Sequence, residues 1–321
     1  MGRRYFNAKS HASGPPGAAF RKKVMRGRAP GARPGPRRSS MLRYAADIRT
    51  LMYMAITTAL LVVQWSRDSF SPVLFVAALF MAVSVSVIAH NHNHLTIWKS
   101  KKLNALTDYW LTLFYGFPAF VWIPTHNQNH HKFNNREGDY TITYRYTEKT
   151  NLFTLLSYPS VSGFHQQKPI RDFLKKQYGI NRKRFWFCIS QYVLLVGFLV
   201  TAFVVDWQKA LLYIFIPQQV SLYVVLIFNY VQHVHTDEES HINHSRNIVG
   251  PLMNVLLFNN GLHTVHHDNP GMHWSNAQAA HAKIAHEIDP RLNEQSLWWF
   301  LIRVYILGIF SQKARGSSMR L

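Results

Sequence analysis

The sequence predicts an all-α integral membrane protein, with four transmembrane helices in two hairpins, interfacial helices and a histidine-rich cap on the cytoplasmic side. Charged residues make up only 16% of the 321 residues, against roughly 25% in soluble proteins. Four apolar stretches reach or approach the ~20 residues that a helix needs to cross a bilayer. Eighteen histidines are present, and most of them occur in tight groups that follow these stretches.

The four apolar stretches pair into hairpins because the segments that join the members of each pair are short. Each joining segment holds one basic residue, Arg67 in the first and Lys209 in the second. A short connection between two helices makes them antiparallel neighbours. The four predicted spans are residues 45–65, 72–89, 185–205 and 210–231.

Two further apolar stretches are less suited to crossing a membrane. Residues 103–123 contain Asp108, Gly116 and Pro118, so we expect a re-entrant segment or an interfacial helix. Residues 297–310 have Arg303 near their centre. That stretch is shorter than a comfortable span, and we expect an interfacial or docked helix there.

Residues 1–43 differ in composition from the rest of the chain. They carry twelve Lys or Arg residues, five prolines and no acidic residue. A segment that is poor in bulky apolar side chains cannot bury enough surface to offset the entropy of ordering. We therefore expect a disordered basic tail at 1–43, followed by one membrane domain over 44–321.

The basic residues predict a membrane partner and the orientation of the protein in the membrane. Eleven basic residues lie between positions 132 and 184, and three lysines follow the second span. By the positive-inside rule these loops face the cytoplasm, which places every histidine group on that face of a multi-pass protein. The net charge of +21 suits anionic lipid headgroups. No zinc-finger spacing or RNA-binding signature supports a nucleic-acid partner.

Two histidine groups follow apolar stretches in the first half of the chain. HNHNH comes directly after the second span, and residues four apart share a helical face, so His90 and His94 lie together while the middle histidine points away. In HNQNHH, which follows a proline, His126 and His130 share a face in the same way. His131 is turned by roughly 100° from His130, toward a neighbouring metal.

Two more elements come from the second half. HTVHH places His263, His266 and His267 along one helical stripe. NYVQH ends the last span, with Asn229 and His233 one turn apart. Neighbouring histidines beside a bilayer are costly if charged, whereas a bound cation uses their lone pairs. Imidazole suits zinc, copper, iron and nickel, so spacing alone leaves the metal open.

These motifs resemble a known family. HNHNH, HNQNHH and LHTVHH are similar to the three histidine boxes of membrane fatty acid desaturases and hydroxylases, in the same order, and NYVQH resembles an additional element of the acyl-CoA desaturase branch. The resemblance covers about residues 45–290 and makes 44–321 a desaturase-like domain. It implies a non-haem di-iron centre of two Fe ions, with Asn229 in contact through water. The implied metal contacts are His90, His94, His126, His130, His131, Asn229, His233, His263, His266 and His267.

The resemblance implies an O2-dependent enzyme that introduces a double bond into the acyl chain of a fatty acid or lipid, presented as a lipid or an acyl thioester. A separate electron donor of the ferredoxin or cytochrome b5 type is expected, because Cys188 is the only cysteine and no haem domain is present. Box spacings differ from those of many desaturases, which leaves a lipid, alkane or carotenoid hydroxylase or ketolase open. A histidine-rich metal transporter is the alternative of another class, and its ligands would lie near the membrane midplane.

The remaining residues near the boxes are given lesser roles. Asp139 and Asp268 are expected to orient ligand imidazoles. Three histidines of a polar loop are expected to be solvated or to lie beside the site: His235, His241 and His244. Three more are expected to be structural: His273, His281 and His286.

Overall fold

The computed structural model describes residues 41–320, and its long helices follow the apolar stretches of the sequence. Within this range four helices are long and apolar enough to cross a membrane: Ala45–Ser66, Pro72–His94, Arg182–Val205 and Trp207–His233. The predicted all-α membrane fold with four spans is confirmed. The predicted disordered tail at 1–43 lies outside the described residues, except for its last three. There the Arg43 N–H donates to the Ile97 carbonyl at 2.9 Å.

The first half of the described chain contains five α-helices, one 3-10 turn before the first helix, another after the third, and one π-helix. In chain order these elements are a 3-10 turn (Ala45–Asp47), α1 (Ile48–Ser66), α2 (Pro72–His94), α3 (Lys101–Tyr115), a 3-10 turn (Ala119–Val121), a π-helix (Ile123–His130), α4 (His131–Phe133) and α5 (Leu152–Ile180).

The second half contains the other hairpin and a set of short elements that cover the histidine end. In chain order they are α6 (Arg182–Val205), α7 (Trp207–Ala210), a π-helical stretch (Leu211–Phe215), α8 (Ile216–His233), β1 (Asn247–Ile248), α9 (Pro251–Leu256), α10 (His263–Asp268), a 3-10 turn (Trp274–Asn276), α11 (Ala277–Ile284), a 3-10 turn (Pro290–Leu292), β2 (Asn293–Glu294), α12 (Leu297–Leu301), a π-helical stretch (Ile302–Leu307), α13 (Gly308–Phe310) and α14 (Gln312–Arg315). The two short strands pair in parallel.

Side-chain caps fix where the long helices begin. The Ser71 hydroxyl accepts the N–H of Leu74, and Pro72 occupies the first position of α2, where its missing N–H costs nothing. Asn151 and Thr154 form a capping box at the start of α5, which satisfies two N–H groups that a helix start leaves unpaired.

The packed core lies at the histidine end of α2. Val85, Ile88 and Ala89 are at most 1% exposed, whereas Val73, near the start of the same helix, is 78% exposed. Val85, Ile88 and Ala89 belong to one cluster with residues of α3, α6 and α8. The apolar start of α2 is therefore left to contact lipid, and protein packing is concentrated where the histidines lie.

Three differences from the sequence prediction affect the site. The helix of the second span continues past residue 89 to His94, so the whole first histidine box is helical. Residues 103–123 divide into α3, a turn and the first residue of the π-helix, and none of these is among the spans. The basic middle segment, treated as a loop, contains the 29-residue helix α5, whose polar composition and two prolines concealed it from a search for apolar runs.

Replacement of Gly116 by Ala is expected to destabilise the protein. Gly116 ends α3 with a φ of +85°, and an added Cβ would lie 2.5 Å from the Cβ of Gln218. Left-handed backbone and overpacking together should lower the free energy of unfolding by about 2 kcal/mol or more. Thermal unfolding in detergent measures the effect. Gly179→Ala is the matched control because an added Cβ there meets nothing within 4 Å, and equal melting temperatures for the two variants would contradict the expectation.

Candidate metal centre

Nine histidines converge at one end of the helices and divide into two clusters. In the first cluster, five ligand nitrogens all lie within 4.8 Å of one another; its members are His90, His94, His126, His131 and His266. In the second, four lie within the same distance; its members are His130, His233, His263 and His267. All nine predicted histidines are therefore brought together.

Two membrane-spanning helices deliver histidines at their C-terminal ends. α2 places His90 and His94 one turn apart in the first cluster, and α8 ends at His233 in the second. The predicted outward direction of the middle histidine of the first box is confirmed. His92 Nδ1 accepts the N–H of Ile97, and its Nε2 lies 3.5 Å from the Asp108 carboxylate.

The second box follows π-helical spacing, and this corrects the prediction for its first two histidines. The His131 N–H donates to the carbonyl of His126 five residues earlier, as in a π-helix. Residues five apart thus approach each other, and His126 joins His131 in the first cluster. His130, predicted to share the metal-facing side of His126, belongs to the second cluster instead. The expectation that His131 and His130 serve different clusters is confirmed.

The third box contributes to both clusters from one short helix. His263 and His267, four apart on α10, belong to the second cluster, and His266 belongs to the first. Asn247 fixes this helix, because its Oδ1 accepts the Thr264 N–H at 3.0 Å and its Nδ2 donates to the Thr264 hydroxyl at 2.9 Å. The stripe predicted from the spacing therefore runs along the boundary between the clusters.

The nitrogen separations suit bound cations. In the first cluster, His90 Nε2 lies 2.9 Å from His126 Nε2 and 3.0 Å from His266 Nε2, and His131 Nε2 lies 3.1 Å from both His126 and His266 Nε2. In the second cluster the corresponding separations are 2.9–3.2 Å. Imidazole nitrogens bind a metal such as zinc at about 2.0–2.1 Å, so nitrogens this close together could share one ion.

The donor set also leaves atoms that need a partner. His94 Nε2 is buried with no hydrogen-bond partner within the described residues. A proton can serve only one pair of facing nitrogens, whereas a cation accepts the lone pairs of all of them. The residues present therefore fit metal ions, one for each cluster.

Electrostatics keeps these imidazoles neutral. Burial, followed by repulsion from neighbouring histidines, holds the pKa of His126 and His266 well below its usual range, and the same holds for His263 and His267. Burial and the nearby His130 and His90 lower the pKa of His131 to about 2. Neutral imidazole is the form that binds a metal, so the sites are ready to bind without first losing protons.

Comparison with known proteins agrees with this geometry. A model of the family described as fatty acid desaturase matches residues 69–311, which is more than half of the 321-residue chain.

The chain belongs to the fatty acid desaturase family.

Neither the comparison with curated proteins nor that with solved structures finds a match. The predicted resemblance is confirmed at the level of the family, whose members are membrane enzymes of the oxidoreductase type. The family also implies metal use, a lipid substrate and O2 in general terms.

The buried Asp139 carboxylate orients the ligand candidate His130, as predicted from the sequence. His130 Nδ1–H donates to Asp139 Oδ2 at 2.8 Å, which leaves its Nε2 lone pair directed at the second cluster. Burial alone would raise the pKa of Asp139. Interaction with His130 and hydrogen bonds from His130 and Thr141 outweigh burial and hold that pKa well below its usual range.

The carboxylate is itself held by residues that the sequence reading missed. Asp139 accepts the backbone N–H groups of Asn135 and Thr141 and the Thr141 hydroxyl, at 2.7–2.9 Å. Asn135 Nδ2 also donates to the carbonyl of His233 at 3.1 Å. The polar run that follows the second box was the available signal, but nothing in its spacing tells which members face the histidines.

Asn229 lies at the site without being placed among the ligands. Its Nδ2 donates to the Tyr158 hydroxyl at 2.7 Å, and that hydroxyl donates to the Thr141 carbonyl at 2.5 Å. Asn229 also lines a small cavity together with His90, His126 and His263. The predicted contact between Asn229 and a metal through water stays a prediction.

The remaining candidates divide between neighbours of the site and structural residues. The prediction for Asp268 is wrong, because its carboxylate lies 3.4 Å from His244 Nε2, outside both clusters. The ring centre of buried His244 is 5.6 Å from that of His267, so it lies beside the second cluster. His273 has a structural partner in Asp47, at 3.2 Å. The other predicted non-ligands lie outside both clusters: His235, His241, His281 and His286.

Asp139→Asn is expected to weaken metal binding at the second cluster about 10- to 100-fold, because loss of a carboxylate behind a ligand imidazole has that effect. Metal retained per chain after dialysis against graded chelator, measured by mass spectrometry, gives the result. The control is Asp172→Asn, whose carboxylate is exposed and pairs with Lys168 at 2.7 Å. Equal retention of both metals by Asp139→Asn and the unaltered protein would contradict the assignment.

Proposed function

We propose that this family member is a membrane-bound, O2-dependent di-iron desaturase that introduces a double bond into the acyl chain of a fatty acid or lipid. The observation that carries the proposal is a small cavity next to both clusters, which we call the histidine chamber. It has a volume of about 70 Å³ and is lined by His90 and His126 of the first cluster, His263 of the second, and Asn229. A reacting group held there would lie beside both metals.

The chamber walls suit a hydrocarbon chain. Val225, Leu226 and Phe228 of α8 contribute apolar surface, on which methylene groups are stabilised by leaving water. Trp122 closes another side, with its ring centre 5.3 Å from that of His90 and 5.2 Å from that of His126. These side chains exclude bulk water and would hold a chain against the histidines.

Desaturation balances only with an external supply of electrons. One hydrogen leaves each of two adjacent methylenes, and one O2 with two electrons and two protons becomes two waters. The chemistry that bound iron supplies is the activation of O2 to an oxidant strong enough for an unactivated C–H bond. The nine histidines would hold the metals, while Asp139 keeps the His130 imidazole in the tautomer with a free Nε2.

Asn229 is proposed to accept a hydrogen bond inside the chamber. Its Nδ2 is occupied by the Tyr158 hydroxyl, which leaves Oδ1 as the group that accepts from a water or contacts a metal. Burial raises the pKa of Tyr158 above its usual range, so this hydroxyl keeps its proton and stays a donor. The pair therefore fixes the direction of the Asn229 amide.

The electron donor is proposed to be a separate protein of the ferredoxin or cytochrome b5 type that meets the histidine end from the cytoplasm. The distribution of basic residues supports this orientation. Each hairpin tip carries one basic residue, Arg67 or Lys209, whereas eleven basic residues lie between positions 132 and 184. Basic loops are retained on the cytoplasmic side of a membrane. They also attract acidic partners at short range.

A metal transporter fits the arrangement less well. Transporter ligands lie near the membrane midplane on broken helices, whereas His94 and His233 are the last residues of α2 and α8. The clusters thus lie at the ends of the spans, where an acyl chain from the bilayer and a donor from water both reach them.

Expression in a host of known lipid content tests the reaction. We expect new double bonds in acyl chains, detected by mass spectrometry of the lipids, and their loss in His266→Ala, which removes a ligand from the first cluster. His286→Ala is the matched control, since its side chain is 75% exposed and lies outside both clusters. Oxygenated chains that depend on His266 would move the assignment to a hydroxylase or ketolase, and unchanged lipids with intact iron would overturn acyl-chain oxidation.

A further inference from the structure

The position of His233 depends on the end of a helix. His233 is the last residue of α8, and its Nε2 lies 3.1 Å from His130 Nε2 and 2.9 Å from His263 Nε2. It therefore faces ligand candidates from both the second and the third histidine box. The last four carbonyls of a helix have no partner within the helix, so the turn that carries His233 would fray unless other groups bind it.

The four carbonyls at the end of α8 all have hydrogen-bond donors. The Tyr230 carbonyl accepts the Val234 N–H at 2.8 Å, the usual bond that follows a last turn. The His233 carbonyl accepts the Thr236 hydroxyl at 2.9 Å and Asn135 Nδ2 at 3.1 Å. The two carbonyls between them depend on a single residue from beyond the helix.

Arg246 is that residue. Its backbone N–H donates to the Gln232 carbonyl at 2.7 Å. Its side-chain Nη1 donates to the Val231 carbonyl at 2.7 Å and to the Val234 carbonyl at 3.0 Å. The guanidinium also places a positive charge at the partially negative end of the helix, which is the favourable arrangement. One residue thus holds the last turn of α8 through both its backbone and its side chain.

The guanidinium lies where a charge is unfavourable. Arg246 is 7% exposed, and its Nε–H is buried with no acceptor among the described residues. No carboxylate of residues 41–320 is paired with it, since Glu294, whose charge acts on Arg246, is paired with Arg303. The Phe300 ring, with its centre 4.7 Å from Arg246 Cζ, offsets part of this cost. The bonds to α8 are the main interaction that this buried cation makes.

The next residue holds the helix that carries the facing ligand candidate. Asn247 accepts the Thr264 N–H and donates to the Thr264 hydroxyl, and Thr264 follows His263 directly on α10. Arg246 and Asn247 therefore fasten α8 and α10 to adjacent points of the chain. The approach of His233 to His263 depends on both attachments.

We propose that Arg246 is a positioning residue for the metal of the second cluster, because it holds His233 against His263 at the end of α8. The proposal rests on the two-metal part of the proposed function and adds a role for a residue that belongs to neither cluster. It also makes the two clusters unequal. Loss of the guanidinium releases the turn that carries His233, and no histidine of the first cluster lies on that turn.

Chelator competition on the full-length protein loaded with Co²⁺ tests the proposal without requiring catalysis. Arg246→Met removes the donors and the charge but keeps an unbranched side chain. We expect it to lower the affinity for one Co²⁺ per chain about tenfold or more, as loss of a group that supports a metal ligand does. The other Co²⁺ should be retained as in the unaltered protein. Arg246→Lys keeps a cationic donor and should restore most of the lost affinity.

Arg303→Met is the matched control. Arg303 Cζ lies 5.7 Å from the centre of the same Phe300 ring, but its guanidinium donates to Glu294 and to the Ala314 carbonyl. This variant should retain both Co²⁺ ions. Weaker binding at both clusters in Arg246→Met, or equal weakening in Arg246→Met and Arg303→Met, would indicate general destabilisation and overturn the proposal.

Ligand variants assign the affected site. In His266→Ala, which lacks a ligand of the first cluster, the tightly held Co²⁺ belongs to the second, and adding Arg246→Met should weaken it about tenfold. The visible absorption of this ion, which reports the ligand geometry, should change and be restored by Arg246→Lys. In His267→Ala, which lacks a ligand of the second cluster, adding Arg246→Met should leave the tightly held Co²⁺ unaffected. Any other pattern would contradict the proposal.

The outcomes separate failure of this inference from failure of the proposed function. Two Co²⁺ ions per chain, held equally by Arg246→Met and the unaltered protein, would remove the role of Arg246 and leave the two-metal centre standing. Selective loss at the second cluster, with no oxidation of acyl chains by the iron-loaded unaltered protein, would do the reverse. It would retain the positioning role and remove the desaturase assignment.

Discussion

The structure depends on bringing together nine buried or half-buried imidazoles whose ring nitrogens face one another. Nitrogens such as His90 Nε2 and His126 Nε2, 2.9 Å apart, repel if both are protonated and compete for one proton if both are neutral. Burial has already made the protonated form unfavourable, as the lowered pKa of His266 shows. Cations shared among the lone pairs would satisfy all nine rings together. The helices, the cap and the chamber are arranged around that requirement.

The helices bring the nine imidazoles together in different ways. α2 and α8 are rigid spans whose last turns carry histidines, and the packed core lies against them. The π-helix turns one box so that His126 and His131 face one cluster while His130 faces the other. Short α10 contributes histidines to both clusters and is fixed by hydrogen bonds between Asn247 and Thr264. Because His94 and His233 are the last residues of α2 and α8, the clusters lie at the ends of the spans.

Much of this could be predicted from the sequence, since the responsible signals are local. Apolar runs of span length and short connections identified all four spans, and histidine spacing with family resemblance identified all nine clustered histidines. The division of the nine histidines between the two clusters was harder to predict. Alpha-helical geometry groups His126 with His130, and only the π-helical hydrogen bond from His131 to His126 reverses that grouping.

Tertiary contacts explain what else was missed. Helix α5 has no long apolar run, because one face of it lines a groove and the other is exposed, so hydropathy did not reveal it. Asp139 was expected behind a ligand, but the spacing did not tell that Asn135 and Thr141 of the same turn donate to its carboxylate. Tyr158 of α5 donates to the Thr141 carbonyl, a contact that forms only when α5 and this turn meet. Asp268, judged equivalent by its position next to a box, turns to His244 instead. Adjacency in sequence is a weak guide to which carboxylate supports a metal ligand.

The measurement that tests the central claim most directly is the metal content of the purified full-length protein from a host supplied with both iron and zinc. Two clusters of neutral imidazoles in a family member of the oxidoreductase type predict close to two irons per chain, retained through purification. A single exchangeable zinc per chain would contradict the di-iron account and the oxygen chemistry that rests on it.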